Sequence, residues 1–203
     1  MNRPLKFIHI PKTGGTSIEQ SAYDVGINWG KYDPNLYLEK WKTLGASWHQ
    51  PLYQLAEPEI YNNLLNKYDF FCVVRNPYHK IISEFYCPWN VEVLIKNVSV
   101  EYFNMFIQKK IKECPTTDHW APQSLFVYHE GKQIIKHVLR FEFLSEEFQK
   151  LTQDYGLNIP LKYHIHKADK KYGVKDLDPV TIKLINNYYI HDFINFNYPL
   201  LQD

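Results

Sequence analysis

Residues 9–17 read HIPKTGGTS and place a lysine, two adjacent glycines and three hydroxyl side chains within nine positions. Adjacent glycines let the backbone turn so that several N–H groups point at one place, which suits a phosphate-like anion. Further donors to such an anion are the side chains of Lys12, Thr13, Thr16 and Ser17. The segment therefore predicts an anion-binding loop, with a purely structural glycine turn as the alternative.

The order of residues in this loop differs from that of the common nucleoside triphosphate motif. In G-x-x-x-x-G-K-[ST] the lysine follows the last glycine, whereas Lys12 stands two residues before Gly14. The motif of P-loop nucleotide hydrolases is therefore not met.

A second cationic segment follows the apolar run 69–74 (DFFCVV). In P-loop hydrolases a later apolar strand normally ends in an acidic residue that helps to hold Mg²⁺, but here Arg75 takes that place. The planar guanidinium group of Arg75 suits a second phosphate, and Ser83, about two helical turns later, offers a hydroxyl. The alternative is that Arg75 only pairs with a carboxylate at the end of the strand.

The elements that must position these residues follow from periodicity and from Gly and Pro breaks. Strands are predicted at 5–10, 69–74 and 138–143, the last following a hairpin around residues 130–131. Helices are predicted at 16–25, 58–67, 77–86, 100–113, 145–155 with Ser145 as N-cap, and 178–193.

Strands that alternate with helices predict an α/β fold, P-loop-like and three-layered, with a mostly parallel central sheet flanked by helices. In such folds ligands bind at the carboxyl ends of the strands, where both cationic segments fall. A chain of 203 residues with 45% hydrophobic content fits a single domain over residues 1–203.

Composition argues against several other classes of protein. The 23 Lys and Arg residues balance 22 Asp and Glu residues, so the chain lacks the basic field of nucleic-acid-binding proteins. Cys72, Cys87 and Cys114 have spacings typical of neither a zinc site nor a disulfide framework. The sequence shows no apolar stretch long enough for a signal peptide or a membrane span, so we expect no membrane association and a cytoplasmic location.

Together, residues 9–17 and 73–86 (VVRNPYHKIISEFY) resemble the sulfotransferases that use 3′-phosphoadenosine 5′-phosphosulfate (PAPS), particularly the carbohydrate-type branch. Residues 139–151 and 188–198 are similar to later family segments, but less specifically. The resemblance implies PAPS as cosubstrate and 3′-phosphoadenosine 5′-phosphate (PAP) as product. By matching positions, it assigns the 5′-phosphosulfate to Lys12, Thr13, Gly14, Gly15, Thr16 and Ser17, and the 3′-phosphate to Arg75 and Ser83.

A transferring sulfuryl group carries less negative charge than a phosphoryl group. One lysine and backbone N–H donors are then expected to neutralise the departing phosphate, so we predict that the reaction needs no metal. An acceptor hydroxyl still needs a base for its proton, a role that contributes about 10²–10⁴-fold when a histidine fills it.

Among nine histidines, His49 in SWHQPLYQL (47–55) is the predicted base, because its place resembles that of the family's histidine. The alternative is a loop histidine that only bonds to the backbone. His9 is expected to order the loop, and His79 to be exposed. Lys167 is left open between a donor contact, an acceptor contact and a solvated basic run.

The segment TDHWAPQ (117–123) resembles a substrate-side loop of carbohydrate members, so the resemblance predicts acceptor contacts at His119, Trp120 and Gln123. Trp48, Trp89 and Trp120 add flat surfaces that favour a glycan, while the same aromatic side chains also suit a small molecule such as a phenol, or the core. A kinase that uses ATP and Mg²⁺ and a non-catalytic nucleotide-binding module are the rival functions, and the sequence leaves the oligomeric state open.

Overall fold

The computed structural model describes residues 2–33, 49, 51–55, 58–87, 98–113, 119–162 and 170–202 of the chain. Trp48, Trp89, Cys114 and Lys167, which entered the sequence predictions, lie outside these residues.

Five strands occur in the described residues. They are β1 (Leu5–Ile8), β2 (Asp69–Val74), β3 (Tyr128–His129), β4 (Lys132–Gln133) and β5 (His137–Arg140). Strand β2 lies between β1 and β5 and is parallel to both. Strands β3 and β4 form a small antiparallel hairpin.

Nine α-helices are described in these same ranges. They are α1 (Gly15–Tyr23), α2 (Leu52–Leu55), α3 (Pro58–Lys67), α4 (Pro77–Phe85), α5 (Val100–Glu113), α6 (Ser124–Val127), α7 (Leu144–Asp154), α8 (Pro179–Tyr188) and α9 (Ile190–Asn195). Short 3₁₀ turns occupy Gly30–Tyr32, Phe141–Phe143 and Val174–Asp176. In the described part of the chain, no helix is long and apolar enough to cross a membrane.

The chain divides into two compact units, one of Met1–Val74 with Leu125–Ile165 and one of Arg75–Ser124 with His166–Asp203. The first unit holds the parallel sheet. Phe71 and Val73 of β2 face a core formed with α1 and α7, whereas Phe70, on the opposite face by strand alternation, lines a cavity with residues of α3. Helices therefore flank both faces of the sheet.

The first unit also contains a buried carboxylate that ties the start of β2 to its surroundings. The side chain of Asp69 is 1% exposed and accepts hydrogen bonds from Arg3, Lys136 and Tyr155 at 2.7–2.8 Å. Burial raises the pKa of Asp69, but these three donors outweigh burial and lower the pKa to about 2.

The second unit is mainly helical. Its core joins apolar residues of α4, α5, α8 and α9, including Phe85 and Phe103, whose rings pack edge to face with centroids 4.8 Å apart.

The predicted α/β class and the parallel sheet with flanking helices are confirmed. Helices 58–67 and 100–113 and strand 69–74 have the predicted bounds. The single-domain prediction is not tested by the division into two units.

Three predicted details are wrong. The strand predicted at 138–143 ends at Arg140, since 141–143 form a 3₁₀ turn. Helix α7 starts at Leu144, so Phe143 and not Ser145 occupies its N-cap. The closing helix breaks at Tyr189, whose buried hydroxyl donates to the carbonyl of Trp120 and so fixes the chain where the helix turns.

Candidate active site

The glycine-rich loop connects β1 to the N-terminus of α1. Gly14 is the N-cap and has φ +89°, in the left-handed region that favours glycine. Lys12, a residue with a Cβ atom, also adopts a left-handed conformation with φ 66°. Such a conformation costs a non-glycine residue about 1–2 kcal/mol, and strain of this kind clusters at functional sites. The strained residue is the lysine on which the anion-site hypothesis depends.

Gly15 allows the side chain of His9 to lie against the loop. A Cβ atom at Gly15 would come within 2.3 Å of Cδ2 and 2.4 Å of Nε2 of the His9 ring. His9 is 5% exposed, and its Nδ1 lies 2.8 Å from Oε1 of Glu19, a residue of α1 that is 0% exposed. The same Oε1 accepts a bond from the backbone N–H of Lys31 at 3.0 Å. A buried carboxylate therefore holds His9 in place, which supports its predicted role in ordering the loop.

His49 lies next to this histidine. The ring centroids of His9 and His49 are 4.4 Å apart, with the rings nearly perpendicular at 75°. His49 is half-buried. The fold thus brings the predicted base close to the residue that packs on Gly15, although the two lie about forty positions apart in sequence.

The hydroxyl groups of the loop differ in their surroundings. Thr13 is fully buried, and its Oγ1 donates to the carbonyl of Ile10 at 2.8 Å. Ser17 is buried on α1, whereas Thr16 is half-buried. The Thr13 hydroxyl therefore stabilises the loop, and the contact of Thr13 with the 5′-phosphosulfate stays a prediction.

In the second unit, Gln123 fixes the backbone of Arg75. The Gln123 Oε1 accepts from the Arg75 N–H and its Nε2 donates to the Arg75 carbonyl, both at 2.8 Å. Asn76 then caps α4 by accepting from the N–H of Tyr78 at 3.0 Å, and Ser83 lies half-buried on the same helix. As predicted, His79 is exposed.

Gln123 is itself held by a buried carboxylate. Asp192 accepts from the N–H groups of Gln123 at 2.8 Å and Ser124 at 2.7 Å. Burial raises the pKa of Asp192, against the lowering effect of those two N–H groups and of Lys80. The backbone of Arg75 is thus positioned through a chain of bonds that begins on α9.

A family model described as "Sulfotransferase family" matches residues 2–199. The chain belongs to the sulfotransferase family. Comparisons with curated proteins and with solved structures give no significant match. Membership identifies a transferase that moves a sulfuryl group to an acceptor, and both predicted anion segments lie inside the matched range.

The structure of this sulfotransferase places the three predicted acceptor residues in different environments. Gln123 is 0% exposed and occupied by Arg75, and Trp120 packs in the core of the second unit. The side chain of His119 is 25% exposed, and its Nδ1 lies 3.2 Å from Oε2 of Glu84. Acceptor contact at these residues stays a prediction, and His119 is the most exposed of the three.

His119 also contacts a cysteine. Burial lowers the pKa of His119, but hydrogen bonds with Cys87 and Glu84 outweigh burial and raise the pKa to about 9. His119 is therefore a cation at neutral pH. Lys80, buried on α4, donates to the carbonyls of His119 at 2.7 Å and Ala121 at 3.3 Å.

Sequence reasoning missed the positioning roles of Glu19, Gln123 and Asp192. A weak signal existed for Glu19, since it stands four residues after Gly15 and on the helix predicted at 16–25, but nothing in the sequence pairs it with His9. Asp192 and Gln123 are 69 residues apart, so only the folded chain reveals their contact.

Proposed function

We propose that this sulfotransferase uses PAPS as donor and transfers its sulfuryl group to a hydroxyl, on a carbohydrate acceptor, by in-line displacement without a metal in the reaction. Lys12 and the backbone N–H groups of the loop stabilise the phosphate that departs, and His49 takes the acceptor proton. Arg75 and Ser83 bind the 3′-phosphate.

The observation that carries this proposal is the conformation of residues 12–15. A strained lysine and a left-handed glycine precede the first turn of α1, where the partial positive charge of the helix and its N–H groups favour an anion. Family membership supports a sulfate donor as that anion, in preference to a nucleoside triphosphate.

The choice of base rests on position. His49 is 4.4 Å, centroid to centroid, from the His9 ring that packs on Gly15, so it belongs to the surroundings of the loop.

The proposed role of Arg75 in binding the 3′-phosphate is supported by the fixed position of its backbone. Two hydrogen bonds from Gln123 set the direction in which the Arg75 side chain leaves the end of β2. Preorganisation of this kind lowers the entropy lost when a guanidinium group binds a phosphate.

Donor identity is tested by binding. We expect PAP to raise the melting temperature, and ATP with Mg²⁺ to leave it unchanged. Lys12→Ala should weaken PAP binding about 10- to 100-fold, the equivalent of roughly 1.5–3 kcal/mol for a hydrogen bond to a charged group. Lys132→Ala, an exposed lysine on β4, is the control. Stabilisation by ATP with Mg²⁺ alone would favour the kinase.

The base is tested by turnover in a radiolabelled sulfate transfer screen over sugars, glycans, phenols and peptides. His49→Ala should lower turnover about 10²–10⁴-fold and leave PAP affinity unchanged, whereas the exposed His79→Ala should keep both. Near-normal turnover of His49→Ala on the best acceptor would exclude His49 as the base. Binding of PAP without transfer to any acceptor would favour a non-catalytic module.

A further inference from the structure

A cluster of three different ligand types lies at the end of α4. Glu84 contributes a carboxylate, Cys87 a thiol and His119 an imidazole, and their ligand atoms all lie within 4.8 Å of one another. Glu84 and Cys87 are buried, while His119 is partly exposed. Nothing in the proposed transfer reaction uses Glu84 or Cys87.

The spacing of these atoms is close to that of a tetrahedral metal site. With Zn–N and Zn–O bonds of about 2.0–2.2 Å and Zn–S of about 2.3 Å, neighbouring ligand atoms are roughly 3.3–3.6 Å apart. Nδ1 of His119 and Oε2 of Glu84 already lie 3.2 Å apart. The widest separation in the cluster, which is at most 4.8 Å, has to close by up to about 1.2–1.5 Å, which side-chain rotations can provide.

The backbone around the cluster is fixed on both sides. The N–H of Cys87 donates to the carbonyl of Glu84 at 2.9 Å, which holds the turn that follows α4. On the other side, Lys80 binds the carbonyl of His119, and the hydroxyl of Tyr189 binds that of the next residue, Trp120. The three ligands therefore meet without any large rearrangement of the chain.

We propose that Glu84, Cys87 and His119 bind one Zn²⁺ ion, with water as the fourth ligand. Thiolate, imidazole and carboxylate are the ligands that zinc takes in proteins, and three of them plus water form a common zinc set. The partial exposure of His119 leaves a path for the water. The ion ties the end of α4 to the segment that begins at His119 and so stabilises this part of the second unit.

Zinc competes with protons for this cluster. Because zinc is bound by thiolate, neutral imidazole and carboxylate, any protons on the ligand atoms of Cys87 and His119 leave when the ion binds. A metal-bound thiolate distinguishes this site from a simple ion pair between His119 and Glu84. An absorption spectrum can detect such a thiolate directly.

Cobalt serves as the spectroscopic probe. Titration of the full chain with Co²⁺ should give a thiolate-to-cobalt charge-transfer band in the near ultraviolet that saturates at one ion per chain and is removed by one equivalent of Zn²⁺. Cys87→Ser should abolish the band, and His119→Gln should weaken Zn²⁺ binding at least about 100-fold in competition with a chromophoric chelator. Cys72→Ser, a fully buried cysteine of β2, is the matched control and should keep the band.

Persistence of the charge-transfer band in Cys87→Ser would overturn the proposal, as would the absence of any saturable binding in the wild-type chain. If a variant does not fold, X-ray absorption at the zinc edge still tests the site, because it is measured on the wild-type protein. The wild-type protein should show a single sulfur neighbour at about 2.3 Å with nitrogen or oxygen neighbours at about 2.0–2.2 Å, and a shell without sulfur refutes the site. Neither readout depends on PAPS, so the zinc site and the proposed function are tested separately.

Discussion

Replacing Gly15 with alanine tests how tightly His9 packs on the loop. The new Cβ atom would lie 2.3–2.7 Å from three atoms of the His9 ring, whereas favourable contacts between carbon atoms are about 3.5–4.0 Å. The ring cannot swing away freely, because it is buried and bonded to Glu19 at 2.8 Å. The loop or the ring must therefore move by about 1 Å.

Overpacking of this kind typically costs about 1–3 kcal/mol, and we expect Gly15→Ala to lie near the upper end, at about 2–3 kcal/mol. For a chain of this size each kcal/mol lowers the melting temperature by about 2–4 °C, so the expected decrease is roughly 4–12 °C. Gly173→Ala is the matched control, since a Cβ there meets no atom within 4 Å, and it should change stability by less than about 0.5 kcal/mol.

The assay is urea denaturation followed by circular dichroism, applied as a double-mutant cycle with His9→Ala. Removing the ring makes room for the Cβ atom, so Gly15→Ala should cost about 2 kcal/mol less in the His9→Ala background than in the wild type. An equal cost in both backgrounds would show that the His9 ring does not pack against Gly15 and would refute the reasoning.

The remaining predictions concern buried charges and backbone strain. Asp69→Asn should lower the free energy of unfolding at pH 7 by about 2 kcal/mol, the equivalent of a pKa depressed from 3.8 to about 2. Because the folded-state pKa is the lower one, this stabilisation is present above about pH 4 and is lost as the pH falls towards 2; urea titrations should therefore converge there, and a constant difference would contradict the ion-pair account. Asp192→Asn leaves one acceptor oxygen for the two N–H groups of Gln123 and Ser124, so it should lower the free energy of unfolding by about 1–3 kcal/mol. In thermal denaturation its melting temperature should fall below that of the exposed Asp154→Asn, and equal melting temperatures would contradict this prediction. Lys12→Gly should be about 1 kcal/mol more stable than Lys12→Ala, since only glycine adopts φ 66° without strain; equal chemical denaturation midpoints would mean that Lys12 is unstrained.

Short sequence patterns predicted those helices and strands whose signals lie within a few neighbouring residues. Strand β2 consists of six residues that are all buried, and such a continuous apolar run between turn signals is readable from sequence. Helix α3 begins at a proline, which favours the first helical turn. The strand predicted to reach Phe143 failed because β-branched and aromatic residues favour strands, while the 3₁₀ turn at Phe141–Phe143 belongs to the start of α7.

The candidate site was predictable only in part, because some of its contacts join residues that are far apart in the sequence. Lys12 and Arg75 stand in motifs whose order is visible in the sequence, so their chemistry was inferred before any coordinates. Trp120 and Gln123 carried a motif as well, but their burial in the core and against the Arg75 backbone depends on packing. A motif fixes which side chains are adjacent in the chain, and it does not fix which of them face solvent.

By itself the sequence determined the α/β class, the two cationic segments at strand ends and the resemblance to sulfotransferases, because hydrophobic period and motif order are properties of neighbouring residues. The tertiary structure alone decided that Glu19 holds His9, that Asp192 and Gln123 hold Arg75, and that Glu84, Cys87 and His119 meet. These contacts join residues separated by up to about seventy positions, and only burial in a shared core makes such polar partners necessary.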